Sequence, residues 1–310
     1  MSTRVGIPDR VGRVKPADRT RAWTGGIGTL LALGKFARRK PLGAIGGVIV
    51  VALLVMAVFA ERIAPYGYDE TIRGARMQSP SGTYWLGTDN LSRDIWSRIV
   101  YGARVSVTVG FATVGLAVLL ATSVGVSSGY FGGVYDLVIQ RIVDAWLSFP
   151  YLVIVLSVMA VLGPGLVNVV ISLAIIIAAV NSRVIRGATI AIAHGTYVEA
   201  ARAVGCGHAR IIVRHILPNV AATIIILATI GLGTAILAES ALSFLGFGVP
   251  PPYPAWGAML SGSGRTYMFR APWMAIWPGI AISLAVFGFN MLGDALRDVL
   301  DPRLRGGGAR

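Results

Sequence analysis

The chain carries little charge. Only 14% of its 310 residues are Asp, Glu, Lys or Arg, against roughly 25% in an ordinary soluble domain. Acid is scarcest: 14 Asp and Glu stand against 28 Lys and Arg, a net charge of +14. A single cysteine, Cys206, excludes a disulfide scaffold. Lys15, Lys35 and Lys40 are the three lysines, and Gly34-Lys35 runs on into Phe36, so there is no phosphate-cradling P-loop. His194, His208 and His215 lack metal-ligand spacing and an accompanying carboxylate cluster. What is present is apolar surface: 55% hydrophobic residues and a mean hydropathy of +0.70. A chain this long and this apolar cannot bury its surface in one soluble core. The composition therefore predicts an all-α, polytopic membrane protein. Its basic excess then marks the loops that face the cytoplasm, not a nucleic-acid footprint.

A helix needs about 20 apolar residues to cross the hydrocarbon. Residues 42–60 make the first span and residues 105–129 the second. The uncharged run 145–182 is too long for one helix, and Gly163-Pro164-Gly165 divides it. The third helix is expected from about Leu137 to Leu162 and the fourth from Leu166. Residues 216–238 and 271–293 make the fifth and sixth. Residues 240–264 are also uncharged, but they hold Pro250, Pro251, Pro252, Pro254 and five glycines. Bare helix-breaking backbone cannot face lipid, so this segment reads as a loop packed on protein with at most a short re-entrant turn. The expected count is six.

Lys and Arg orient the chain. Residues 1–41 carry ten of them and two acids, which reads as a cytoplasmic tail and not a signal peptide. Loop 183–215 holds five arginines against Glu199 alone. Loop 61–103 balances five basic residues with five acids, and loop 239–270 has only Arg265 and Arg270. Six spans with both termini in the cytoplasm put every basic-rich segment on one side.

Loop 183–215, 33 residues long, is too long to be structureless. Thr196-Tyr197-Val198-Glu199 fits a capping box, with Thr196 as N-cap and Glu199 three residues on. Ala200, Ala201, Arg202 and Ala203 favour helix, and Gly205 suits its C-terminal cap. A second stretch, 209–217, leads to Pro218 in the first turn of the fifth span. The spacing predicts a short helix outside the bilayer, a turn, and a helix entering it.

Glu199-Ala200-Ala201, Gly205 six residues after the Glu, and Leu217-Pro218 resemble the EAA motif of permease subunits of binding-protein-dependent ABC importers. Arg214-His215-Ile216-Leu217-Pro218-Asn219 resembles the dipeptide/oligopeptide/nickel branch. Further blocks agree: Leu86-Gly87-Thr88-Asp89 with Arg93-Asp94, Gly129-Tyr130-Phe131-Gly132-Gly133, Leu242-Ser243-Phe244-Leu245-Gly246, Pro254-Ala255-Trp256-Gly257, and Leu300-Asp301-Pro302-Arg303-Leu304. Ser92 stands where the family has glycine. The likeness covers about residues 40–305 and points to the C-type subunit.

The resemblance implies the type-1 ABC importer permease fold, with a basic tail (1–41), a first helix (42–60), an extracytoplasmic loop (61–100), the permease domain (101–294) and a C-terminal tail (295–310). It implies a transport subunit of the bacterial cytoplasmic membrane that carries peptides, or alternatively nickel or another small solute. Its partners would be a second homologous permease, two ATPase domains that hold ATP and Mg, an extracytoplasmic solute-binding protein and the lipid bilayer, with no nucleic acid and no cofactor on this chain. Glu199, Ala200, Ala201, Arg202, Gly205 and Pro218 would couple the permease to the ATPase, although Glu199 could equally cap its own helix. Glu239, expected to end the fifth helix, and Asn290 are the candidates for lining or gating the pathway; Glu239 could instead contact the binding protein, pack in the bundle or cap, and Asn290 reads most simply as an interhelical hydrogen bond. Arg141–Asp144 and Asp294–Arg297, each spaced i,i+3, read as structural ion pairs. An intramembrane serine protease built on Ser263 fails, because that serine and the histidines fall on opposite sides of the membrane. A secondary transporter would need internal repeats, and none is evident.

Overall fold

The computed structural model describes Arg38 and residues 40–300, with the side chain of Leu300 left aside. The expected basic tail and the last ten residues lie outside the described residues. Helix α1 (Pro41–Val58) starts on a proline in its first turn, where a missing N–H is harmless. Gly43, Gly46, Val50, Leu53 and Ala57 form its buried stripe. Its other side leaves Val48, Val51 and Val58 between 59% and 70% exposed, a surface suited to lipid and costly in water. A turn of helix, α2 (Ala60–Ile63), follows.

Helix α3 (Ile95–Phe131) begins ten residues before the expected start. Asp94 caps it: its Oδ2 accepts from Ser97 N–H at 2.8 Å and from the Ser97 hydroxyl at 2.7 Å. At 37 residues it is about 55 Å long, well beyond the roughly 30 Å of hydrocarbon. The preceding loop is folded around Asp89. Its carboxylate accepts from the backbone N–H of Leu91 and Arg93 and from Arg93 Nε at 2.7 Å. Arg98, buried at the start of α3, donates to the Tyr68 carbonyl at 2.9 Å. Ser92 sits at φ +61°, the left-handed region in which glycine is at ease. The departure from the family pattern thus falls on a position whose backbone favours the family's residue.

The third span departs from expectation. Instead of one helix there are two, α4 (Gly133–Leu147) and α5 (Tyr151–Leu162), bent by 85°. Pro150 causes the break: it has no N–H to donate and disfavours helical backbone at Phe149. Helix α6 (Leu166–Ala193) continues eleven residues past the uncharged run. Helix α7 (Thr196–Ala203) is the short element expected in the loop. Then α8 (His208–Ile211) passes through a π-turn (Ile212–Ile216) into α9 (Leu217–Phe244), and α10 (Trp256–Met259) leads to α11 (Trp273–Leu300). Among the described residues five helical runs are long and apolar enough to cross a membrane, and the count reaches the expected six when the broken pair α4–α5 is taken as one span. The Pro-rich segment is not among them. It packs on protein through Trp256, which is fully buried and donates its indole N–H to the Ile99 carbonyl at 3.1 Å.

Three apolar clusters hold these helices. One joins α1, α3, α9 and α11, and another joins α3, α5, α6 and α9. The third carries the candidate site: Ala121, Val126 and Tyr130 of α3 meet Ile185 and Ala193 of α6, Val198 and Ala201 of α7, and Ile211, Ile216 and Val220. Here α3 and α6 touch backbone to backbone. A Cβ on Gly129 would stand 2.8 Å from the Arg186 carbonyl oxygen and 2.9 Å from Thr189 Cβ.

Candidate functional site: an outward helix between α6 and α9

The 33-residue loop of the sequence reading is mostly helix. With α6 running to Ala193, only His194 and Gly195 separate it from α7, and residues 204–207 separate α7 from α8. The capping box is not formed. Gly195, in extended backbone, is the N-cap, and its carbonyl accepts from Val198 N–H at 2.9 Å and Glu199 N–H at 3.2 Å. Thr196 is already the first helical residue, so Glu199 lies one position too late to reach back. No side chain caps this end. Glu199 is left exposed.

Period 3.6 then sorts the remaining residues. Val198 and Ala201 point into the third cluster at 0% and 8% exposure. Glu199, Ala200, Arg202 and Ala203 are exposed. Of the residues expected to meet a partner, Ala201 therefore faces the chain's own core. The helix ends on Gly205 at φ +79°. Gly205 N–H bonds the Arg202 carbonyl at 2.9 Å and Cys206 N–H bonds the Ala201 carbonyl at 3.0 Å, the paired bonds of a Schellman stop. Pro218 sits exposed in the first turn of α9. The result is a small, rigid, outward face with one acid, one arginine and two alanines.

Charged side chains pin the neighbouring helices. Arg186 of α6 forks onto Asp136 of α4: Nε donates to Oδ1 at 2.6 Å and Nη2 to Oδ2. Ser128 also donates to Asp136. Arg183 pairs with Asp144. The expected Arg141–Asp144 contact exists at 3.8 Å, but it is exposed and secondary to Arg183. The expected Asp294–Arg297 pair is absent among the described residues. One turn beyond Asp294, Asp298 instead meets Lys40 at the head of α1. Helices α1 and α11 lie side by side there, and the ion pair that forms runs between them and not along α11.

Glu239 does not end its helix, which runs on to Phe244. It is wholly buried, and its Oε1 accepts from the Ser243 hydroxyl at 2.6 Å. Asn290 makes no side-chain hydrogen bond among the described residues. It lies over Gly233 of α9, which offers it no side chain. Tyr130 and His208 carried no weight in the sequence reading, yet Tyr130 Oη lies 2.8 Å from His208 Nδ1. Asp136, Arg183 and Arg186 were missed as partners because the arginines read as loop residues. Following α6 beyond its last apolar residue would have put them opposite the acids of α4.

Two family descriptions match the chain. One is "Binding-protein-dependent transport system inner membrane component", over residues 121–306. The other is "N-terminal TM domain of oligopeptide transport permease C", over residues 35–80. The chain belongs to the family of binding-protein-dependent transport permeases. The permease is 43% identical over 268 residues to the dipeptide transport system permease protein DppC of Alkalihalophilus pseudofirmus, covering 86% of this chain and 88% of that one. It is 40% identical over 275 residues to the glutathione transport system permease protein GsiD of Escherichia coli O157:H7, covering 87% and 89%. Its fold resembles a chain of the MetNI methionine ABC transporter in inward-facing form, with a TM-score of 0.54 at 18% identity over 67% of the permease and 97% of that chain. This is an inner-membrane, multi-pass transport subunit of an ABC importer and not an enzyme; ATP hydrolysis belongs to partner subunits.

Proposed function

We propose that this permease forms, with a second homologous permease, a pathway for short peptides, and that α7 couples it to cytoplasmic ATPase subunits. The substrate class rests on two relatives named for peptide cargo, a dipeptide and glutathione. A groove of about 330 Å³ between α6 and α9 supports it. Its wall is apolar apart from Tyr151, Asn181 and Thr234, a lining with few handles to trap a passing solute. An extracytoplasmic binding protein would then set selectivity. ATP and Mg would be held on the ATPase subunits.

One observation carries the coupling role: Val198 and Ala201 lock α7 onto the permease core while Glu199, Ala200, Arg202 and Ala203 face outward. A lever needs both a fixed root and a free grip. Alanines let a partner groove approach closely, and Glu199, with no cap to serve, is free for a polar contact. This assignment puts α7, both termini and the basic loops on the cytoplasmic side. The test is Glu199→Ala in the assembled transporter. The subunit should remain in the membrane at normal level, with ATPase co-purification and uptake of a labelled dipeptide both reduced about tenfold, as for loss of a charged contact. Unchanged co-purification and uptake would sink the proposal.

A further inference from the structure

The turn that follows α7 is short and rich in glycine. Val204, Gly205, Cys206 and Gly207 separate it from α8. Nothing lies within 4 Å of where a Cβ would stand on Gly205 or Gly207. Cys206 rests against the third cluster, but Val204 is 79% exposed. Left to this turn alone, a push on α7 would be lost as a hinge motion at the two glycines. Both flanks of the turn, however, converge on one side chain of α3. Before the turn, the Arg202 guanidinium lies over the Tyr130 ring, 5.3 Å from its centroid. After the turn, His208 Nδ1 meets Tyr130 Oη at 2.8 Å, and the two rings stand edge to face at 5.6 Å. Tyr130 itself is 7% exposed and is the penultimate residue of α3.

We propose that Tyr130 is a positioning residue that staples the two sides of the 204–207 turn to the end of α3, so that α7 and α3 move as one body. The inference rests on the docking role of α7 given above. Arg202 then has two jobs: its charge is presented outward while its guanidinium plane is clamped on a ring fixed in the core. The cation–π contact and the hydrogen bond act on different parts of Tyr130, so they can be removed separately.

The experiment uses the whole transporter, this permease with its partner permease, ATPases and binding protein. Amide exchange at Gly205 and Cys206 reports the turn, because both N–H groups are bonded in the Schellman stop. Uptake of a labelled dipeptide per ATP hydrolysed reports coupling. Tyr130→Phe keeps the ring and should raise exchange about fivefold; Tyr130→Leu removes both contacts and should raise it about thirtyfold. Uptake per ATP should fall about fivefold in Tyr130→Leu with the yield of assembled transporter unchanged. His208→Ala removes the same hydrogen bond together with the ring contacts of His208 to Tyr130 and Phe131 and should raise exchange at least as much as Tyr130→Phe, and His208→Gln, which keeps a hydrogen-bonding group, should recover part of that loss. If Tyr130→Leu does not assemble, Tyr130→Phe and His208→Ala decide the matter, since both leave the packed ring in place. Wild-type exchange in those two variants, or wild-type uptake per ATP in an assembled Tyr130→Leu, overturns the proposal. Failure of the docking reading shows differently, as ATPase retained by Glu199→Ala, and leaves the exchange at Gly205 and Cys206 to judge Tyr130 on its own.

Discussion

Two ion pairs fasten helix α4 to α6, and their contribution can be measured. Helix α4 buries one side chain, Val143, which contributes about 1.5–3 kcal/mol if fully removed from solvent. Against this stand two ion pairs to α6. Arg183–Asp144 has both side chains 45–46% exposed, so it contributes at most about 0.5–1 kcal/mol. Arg186–Asp136 is different. The side chains are 32% and 15% exposed, the contact is a two-point fork, and Ser128 adds a further bond to the carboxylate. Removing either member leaves the other half-buried without its partner. A fully buried break costs about 3–5 kcal/mol, and partial exposure brings this to about 2 kcal/mol. Replacing both by apolar residues avoids the orphaned charge, so Arg186→Met with Asp136→Leu should cost only about 1 kcal/mol. The coupling energy of the cycle is then about 3 kcal/mol, since two single losses of about 2 exceed the double loss of about 1. Thermal unfolding of the detergent-solubilised subunit measures all three variants. Additive losses, with the double variant about 4 kcal/mol less stable, would refute the reasoning and show that the pair does no more than its parts.

Two further outcomes follow from the same structure. Ser92→Gly should stabilise the subunit by about 0.5–1 kcal/mol, because the φ of +61° then suits the residue that adopts it; a lower unfolding midpoint than wild type would count against this reading. Trp256→Phe keeps most of the buried ring but loses the bond to the Ile99 carbonyl, which then keeps only its place in the helical ladder of α3; it should cost about 1 kcal/mol, whereas Trp256→Ala should cost about 3–5 kcal/mol. Equal losses in the two, read from chemical unfolding, would mean that the hydrogen bond and not the packing carries the loop.

The five unbroken spans, the Pro-rich loop as a non-span, the short outward helix and its glycine stop were all legible in the sequence, because each is written in local chemistry. Runs of apolar residues declare a span. Four prolines within five residues, 250–254, rule one out. Gly205 follows a helix-forming run. What was illegible depends on partners distant in sequence. Asp298 takes Lys40 across 258 residues where the local rule offers Asp294 to Arg297. Tyr130 and His208 are separated by 78 residues, and no local spacing links them. The 85° break at Pro150 was legible in principle, because a lone proline inside an apolar run is a helix-breaking signal. It was overlooked beside the stronger Gly163-Pro164-Gly165 signal.

The two largest errors at helix ends, in α3 and α6, share one direction and one cause. Apolar runs measure the thickness of the hydrocarbon, while a helix ends where its backbone bonds find no further helical partner. Helix α3 therefore reaches back to the Asp94 cap, through Arg98, whose charge is met by a carbonyl of the preceding loop. Helix α6 carries Arg183 and Arg186 beyond its apolar run because Asp144 and Asp136 answer them. Each overrun is a helix emerging from the bilayer with its charges already paired. The same overruns shorten the connections: two residues before α7 and four after it. A coupling element hung on a flexible 33-residue loop would absorb displacement in the loop. On the proposed role of α7, its place between two long helices, with Val198 and Ala201 in their shared core, leaves little slack to absorb displacement.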